Sequence, residues 1–298
     1  MTIPETQLET WSHQGSIKQS STTYATVKAT LEDPKAKYAS RKPKVFLQGS
    51  YGNDTNIYAE SDVDVVIVYE GAWFKDLTLL PAEQQAAYDA HYSKGTYPYA
   101  DFKQEVNAQL ESAFPKAVIG SPKALKIAAE GSRRSADVVV AFRYRRYFRF
   151  NSAFDERFDE GIALWTTKGS LIPNYPEQHS HNCTTKQKST QDNFKPLVRI
   201  FKNMRSKLVD DGVIEPGLAP SYFIEGLLYN APPENFVGSY EDMVLNILNW
   251  LSATTDRSKF LTANEQYYLL FDDSPNCWPK ANGTKYINAV IELWNDWT

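Results

Sequence analysis

Gln48-Gly49-Ser50 is followed, after eleven intervening residues, by Asp62-Val63-Asp64, and Asp137 later opens the apolar run DVVVAF. In a strand, residues two apart project to the same side. Asp62 and Asp64 therefore project together, while Val63, Val65 and Ile67 take the other face. Two carboxylates side by side repel each other and lose hydration, and a divalent cation compensates both. Asp137 can add a third carboxylate from a neighbouring strand. Three carboxylates can hold two Mg²⁺ ions about 3.5–4 Å apart, the arrangement of two-metal phosphoryl transfer. Gly49-Ser50 precedes them at a turn. There a glycine admits phosphate close to the backbone, and N–H groups and the hydroxyl donate to it. Taken singly, an Asp-x-Asp pair is a solvated strand edge and Gly-Ser an ordinary turn. The three in this order point to nucleotidyl transfer.

The elements that must position these residues follow from periodicity. Ile17, Tyr24, Val27 and Leu31 recur near a helical face, and Pro34 stops the pattern. VFLQGSYGNDTN is a short apolar run ending in a turn-rich loop. DVDVVIVY, residues 62–69, is short and β-branched and reads as a buried strand. Phe102, Val106, Leu110 and Ala113 share a helical face over 101–114, and Asp101 with Gln104 resembles a capping box. ALKIAAE and ADVVVAFRYR read as two further strands. Beyond about residue 190 the pattern is helical. Phe194, Leu197, Val198, Phe201, Met204 and Leu208 trace one face. Met243, Val244, Ile247, Leu248 and Leu251 trace another, and Ile287, Val290, Ile291, Trp294 and Trp297 a third. The expected fold is α+β: a lobe with a mixed sheet over residues 1–190, then a helical lobe over 191–298. Ligand sites often lie in the cleft between such lobes.

Composition narrows the function. The 298 residues are 42% hydrophobic and 23% charged, ordinary globular usage, which excludes disorder, collagen and coiled coil as descriptions of the whole chain. Net charge is −4, so bulk duplex nucleic acid is a poor main partner, although a local basic cluster would still serve a compact anion. Cys183 and Cys277 show no Cys-x-x-Cys spacing, which argues against zinc and against a disulfide framework. No basic segment followed by an apolar one opens the chain and no apolar run approaches 18 residues, so a cytoplasmic protein without a membrane span is expected.

GSYGNDTNIYAESDVDVVI resembles the signature of the polymerase β-like nucleotidyltransferases. WSHQG, LQGSY, SDVDVVI, DVVVAFRYRR, GIALWTT, NYPEQH, KPLVRIFKNMR and PSYFIEGLLYN are similar, in this order, to the bacterial CD-NTases, relatives of cyclic GMP-AMP synthase, and most of all to their clade E. The resemblance spans about residues 11–230. It implies a nucleotidyltransferase lobe packed on a helical lobe with the active site between them. It also implies synthesis of a cyclic oligonucleotide from NTPs in anti-phage (CBASS) signalling, with a downstream effector that reads the product. The metal carboxylates then fall on Asp62, Asp64 and Asp137, with Mg²⁺ or Mn²⁺ as the ions. The phosphate-binding turn falls on Gly49 and Ser50, with Gln48 beside them. Lys202 in RIFKNMR matches a lysine that reaches the triphosphate; it sits at the edge of its helix's apolar face, and a solvated edge is the plain alternative. Ser221 and Tyr222 match a serine opening a helix and a base-stacking tyrosine; an N-cap and a core ring are the plain alternatives. Asn174 in LIPNYPEQH matches a position facing the base edge. In the family, asparagine there goes with pyrimidine use, which implies UTP with ATP as substrates and a product such as cyclic UMP-AMP or a dipyrimidine ring. A turn residue before Tyr175-Pro176 is the alternative.

No His/Cys cluster marks a zinc module, so activation by long DNA is not expected, and His179 and His181 read as solvated residues of a polar loop. Arg133, Arg134, Arg143, Arg145, Arg146 and Arg149 surround Asp137. They form either a rim that attracts NTPs or exposed partners for Asp155, Glu156, Asp159 and Glu160, and the second is preferred. Rival readings are a purine-only or trinucleotide cyclase, an RNA- or protein-modifying nucleotidyltransferase, and a non-enzymatic sensor.

Overall fold

The computed structural model describes residues 2–15, 17–58, 62–115, 118–120, 124–165, 169–272, 274 and 276–297, with backbone alone at 118–120. Ser61, heading SDVDVVI, and Thr166 and Thr167, ending GIALWTT, lie outside them. In chain order the elements begin with α1 (Glu5–Ser12), α2 (Ile17–Leu31), β1 (Lys44–Leu47), α3 (Gly49–Gly52) and β2 (Val63–Asp76). Next come α4 (Ala82–His91), α5 (Tyr99–Ala113), β3 (Val118–Gly120), β4 (Leu125–Ile127), β5 (Ala136–Ser152), β6 (Asp155–Trp165) and β7 (Leu171–Asn174). The rest is helical: α6 (Pro176–Ser189), α7 (Phe194–Asp210), α8 (Ser221–Tyr229), α9 (Tyr240–Ala253) and α10 (Lys280–Asn295).

These elements form two compact units. One comprises Lys18–Gln48 and Ser61–Glu177, the other Met1–Ile17, Gly49–Glu60 and Gln178–Thr298. The chain thus passes between units several times, where the 1–190 and 191–298 division expected one crossing. The reason is local. α1 is amphipathic and buries Leu8 in the helical core, and the side chains of Asn53 and Thr55 find their partner in Glu225 on the later helix α8.

The first unit is built on a seven-stranded mixed sheet in the order β1-β2-β5-β4-β3, with β6 pairing β5 and β7 pairing β6. β2 and β5 run parallel and the remaining pairs are antiparallel. The strand expected over 62–69 continues to Asp76 through an irregularity between Tyr69 and Trp73. Val63, Val65 and Ile67 are fully buried, and so are Val66 and Val68 on the opposite face, where they pack with Val139, Ala141, Ile162 and Leu164. Such two-sided burial explains the near-continuous apolar run.

Two helices differ from expectation. α5 starts two residues early, with Pro98 at its N-cap and no side-chain cap, so Asp101 lies in the first turn beside the positive helix end instead of closing a capping box. Ala113 is exposed at its far end. α2 is rotated: Ile17 is exposed, and Ser20, Thr23, Val27 and Leu31 are buried. Thr23 is drawn inward because its hydroxyl accepts from the Arg134 N–H at 3.0 Å while donating to the Gln19 carbonyl at 2.9 Å.

The second unit is helical around one large core. Every apolar residue assigned to the faces of α7 and α9 is buried in it, and on α10 Ile287, Val290 and Trp294 are buried with Tyr286.

Candidate active site

Asp64 and Asp137 are direct register partners on the parallel strands β2 and β5, so both side chains project from the same face of the sheet. Asp62 lies two positions before Asp64 and precedes the strand. Its Oδ1 accepts from the Ser135 hydroxyl and its Oδ2 from Lys126 Nζ at 3.2 Å. Lys126 is the register partner of Asp137 on β4, so one cation stands beside this acidic group. Hydrogen bonding to Asp62, its charge and that of Asp137 raise the Lys126 pKa. Burial raises the Asp137 carboxyl; Lys126 opposes this and Asp62 adds to it. The Asp137 Oδ1 is buried and has no hydrogen-bond partner among the described residues. A buried, unpartnered carboxylate oxygen is costly, and an all-oxygen donor set suits a hard divalent cation. The residues therefore fit the metal that the motif implies. Lys126 and Ser135 were not legible as members of this group, because a lysine in a short strand carries no distinguishing pattern.

Gln48 closes β1, its N–H donating to the Asp64 carbonyl at 3.0 Å, while its Oε1 is buried without a partner among the described residues. In the helical unit, Gly49 takes φ +65°, which favours glycine, and starts the short helix α3 where a loop was expected. The turn is closed on itself by Asn53 N–H to the Gly49 carbonyl at 3.0 Å and Thr55 N–H to the Ser50 carbonyl at 2.9 Å. Ser50 remains half-exposed.

Lys202 is not at a solvated helix edge. It is fully buried, with Nζ donating to the Thr55 carbonyl at 2.7 Å. Its aliphatic stem packs as an apolar side chain would, and the ammonium meets a polar pocket that periodicity does not reveal.

Ser221 is the first residue of α8, not its N-cap; Pro220 holds that place and makes no side-chain cap. Tyr222 is half-buried. Its ring stacks on His179 at 4.7 Å between centroids and lies parallel to Trp278 at 5.7 Å, and its hydroxyl accepts from Asn264 Nδ2 at 2.7 Å. His179 is likewise not in a polar loop: α6 carries it, it is 2% exposed, and its Nε2 lies 2.6 Å from Glu225 Oε2. His181 lies on the same helix. Low hydropathy over 176–189 disguised that helix. Asn174 ends β7 opposite Ile162, and its Oδ1 accepts from the Tyr175 N–H at 2.9 Å. Of the arginines, Arg143 pairs with Glu70, Glu160 and Glu177, Arg145 with Glu160, Arg146 with Asp159, and Arg149 with Asp155. Arg133 meets Glu130 at 3.2 Å, and Arg134 Nε donates to Gln19 at 3.4 Å.

Comparison with known proteins assigns the class. A sequence profile described as the cGAS/DncV-like nucleotidyltransferase C-terminal helical domain matches residues 181–295. The chain is 36% identical, over 100% of its length and 99% of the relative's, to the cyclic UMP-AMP synthase of Rhodothermus marinus. It is 35% identical, over 100% of both chains, to the cyclic nucleotide synthase CdnE01 of Staphylococcus haemolyticus. The solved structure of the Rhodothermus marinus CdnE c-UMP-AMP synthase with Apcpp and Upnpp matches with a TM-score of 0.89 at 35% identity, covering 99% of this chain and 97% of that one. The chain belongs to the CdnE cyclic nucleotide synthases, within the cGAS/DncV-like nucleotidyltransferases. It is an enzyme of the nucleotidyltransferase class, and the family is metal-dependent. Among the described residues no helix is long and apolar enough to cross a membrane.

Proposed function

We propose that this enzyme joins two NTPs into a cyclic dinucleotide containing a pyrimidine, cyclic UMP-AMP first, with release of pyrophosphate. The observation that carries the chemistry is the Asp64–Asp137 register pair with its unpartnered buried oxygen. The full-length likeness to a cyclic UMP-AMP synthase supports the product. Asp62, Asp64 and Asp137 would hold two Mg²⁺, with Mn²⁺ able to substitute. Those ions would supply a lowered pKa for the acceptor sugar hydroxyl and neutralise charge developing on the phosphates. Asp62 and Asp64 serve the donor triphosphate and Asp137 the acceptor side. Gly49 and Ser50 donate to phosphate oxygens, with Gln48 beside them, and Ser221 at the start of α8 adds a donor near a positive helix end. Tyr222 offers its ring to a base. Lys202, whose Nζ donates to the Thr55 carbonyl beside the turn, is the lysine assigned to the triphosphate. In this reading residues 1–190 supply the metal carboxylates and the phosphate turn, and 191–298 supply most of the helical lobe, which α1 and the 49–60 stretch join.

Asn174 supports the choice of base. Its Oδ1 accepts from the Tyr175 N–H, and its amide NH₂ is a donor for the O4 of uracil. In the cell the product would act in CBASS defence through an effector that binds it. Mass spectrometry of the product from all four NTPs, followed by nuclease P1 digestion, tests this. A uridine-containing ring is expected. A purine-only product refutes the base assignment, and a linear or polymer-dependent product refutes cyclisation. Asn174→Ser should shift the ratio toward purines.

A further inference from the structure

The buried polar groups of the helical unit converge on Glu225, which is 2% exposed. Its Oε1 accepts from the Thr55 hydroxyl, and its Oε2 accepts from Asn53 Nδ2 at 3.3 Å and faces His179 Nε2 at 2.6 Å. Burial pushes the carboxyl up, but the hydrogen bond and field of His179, the Lys202 charge and the Thr55 hydroxyl outweigh it and hold it below its ordinary range. A carboxylate only accepts, so His179 carries its proton on Nε2. His179, Cys183 and Glu225 could be taken for a metal site, since their ligand atoms lie within 4.8 Å of one another. Both Glu225 oxygens, however, already serve three donors, so the cluster is a hydrogen-bonded joint.

The joint has two arms. Asn53 and Thr55 are the residues whose N–H groups close the Gly49–Ser50 turn, so anchoring their side chains fixes the turn. His179 stacks on Tyr222, three residues before Glu225 on α8. We propose that Glu225 is a positioning residue that holds the Gly49–Ser50 turn in its nucleotide-binding form and, through His179, ties that turn to the Tyr222 ring. The proposal rests on the phosphate-binding role given to that turn above.

The test compares Thr55→Val, which removes only the hydroxyl, Thr55→Ser, which keeps it, and Glu225→Gln. Each is measured for unfolding midpoint, for KM and kcat with ATP and UTP, and for binding of non-hydrolysable ATP and UTP analogues. Thr55→Val and Glu225→Gln should stay folded and raise KM about tenfold, with kcat changed less than about twofold, the scale of one hydrogen bond to a charged group. Thr55→Ser should match wild type. Folded Thr55→Val with a wild-type KM overturns the proposal. So does a Thr55→Val variant that loses its cooperative transition while Thr55→Ser keeps it, since the network is then structural only. If Glu225→Gln does not fold, the threonine pair decides. Wild-type enzyme that binds neither analogue and makes no product removes the nucleotide site itself and this inference with it.

Discussion

Replacing Asp137 by Asn isolates the electrostatic reasoning about the acidic sheet face. Neighbouring strands lie about 4.8 Å apart, so two register-paired carboxylates sit roughly 5 Å from each other. Coulomb's law gives a repulsion of about 3 kcal/mol at an effective dielectric of 20 and about 1 kcal/mol in water. Asp64 and Asp137 are half-buried and Lys126 offsets part of the charge, so the lower figure is the better guide. Removing one charge should therefore leave metal-free stability unchanged or raise it by up to about 1 kcal/mol. Turnover should fall below a few per cent, while binding of a donor NTP analogue in Mg²⁺ should weaken much less. The assay is urea unfolding in EDTA beside calorimetric titration with the analogue and product formation. A metal-free variant less stable than wild type by about 1 kcal/mol or more refutes the repulsion argument and makes Asp137 a structural anchor. Loss of donor affinity equal to the loss of turnover refutes the division of roles among the three carboxylates.

Gly15→Ala should destabilise by about 1–3 kcal/mol, because its Cβ would lie 2.6 Å from the Ile57 carbonyl carbon and oxygen and backbone cannot yield cheaply; an unchanged unfolding midpoint contradicts this. Lys202→Met should cost about 3 kcal/mol in urea unfolding, since it strips the Thr55 carbonyl of its donor and Glu225 of a nearby positive charge; a loss under about 1 kcal/mol would place the ammonium in water. Ser50→Ala should weaken NTP binding by about 1–3 kcal/mol by calorimetry with little change in unfolding midpoint. Burial raises the Glu177 carboxyl, but Lys44 and Arg143 outweigh it, so its net shift is downward. A lowered carboxylate contributes stability above its unfolded pKa, near 4.3, that is lost as pH falls through the folded value. Glu177→Gln should therefore lower the unfolding midpoint at neutral pH and flatten the acid limb below about pH 4.5, so that variant and wild type converge at low pH; a neutral-pH midpoint equal to wild type contradicts this.

The placing of Asp64 beside Asp137 was legible because its geometry is local. Alternation places Asp62 beside Asp64, and the apolar runs around Asp64 and Asp137 announce buried strands that can pair. The cores of α7 and α9 were legible for the same reason at helical period. What escaped were partners far apart in sequence. Glu225 stands 170 residues from Thr55 and 46 from His179, and no periodicity links such positions. A single charged residue inside the apolar run SYFIEGLLY was the available signal, since a carboxylate in a core requires donors. Lys202 carried the same signal one position from Phe201. The capping box at Asp101 failed because Pro98 can start a helix without any side-chain cap.

The interleaving of the two units in sequence sets an order of events during synthesis. Lys18–Gln48 and Ser61–Glu177 are complete once residue 177 has emerged, whereas Met1–Ile17 and Gly49–Glu60 belong with a body that begins at Gln178. At about 5–20 residues per second, roughly ten seconds separate residue 60 from residue 178 on the ribosome. Throughout that interval Thr55 and Asn53 have no Glu225 to meet. The sheet unit can therefore close first, with the 49–60 stretch looped out of it. The Gly49–Ser50 turn gains its Glu225 anchor only after α8 has been made, so a nascent or truncated chain ending before residue 221 would carry the acidic sheet face with that turn unanchored.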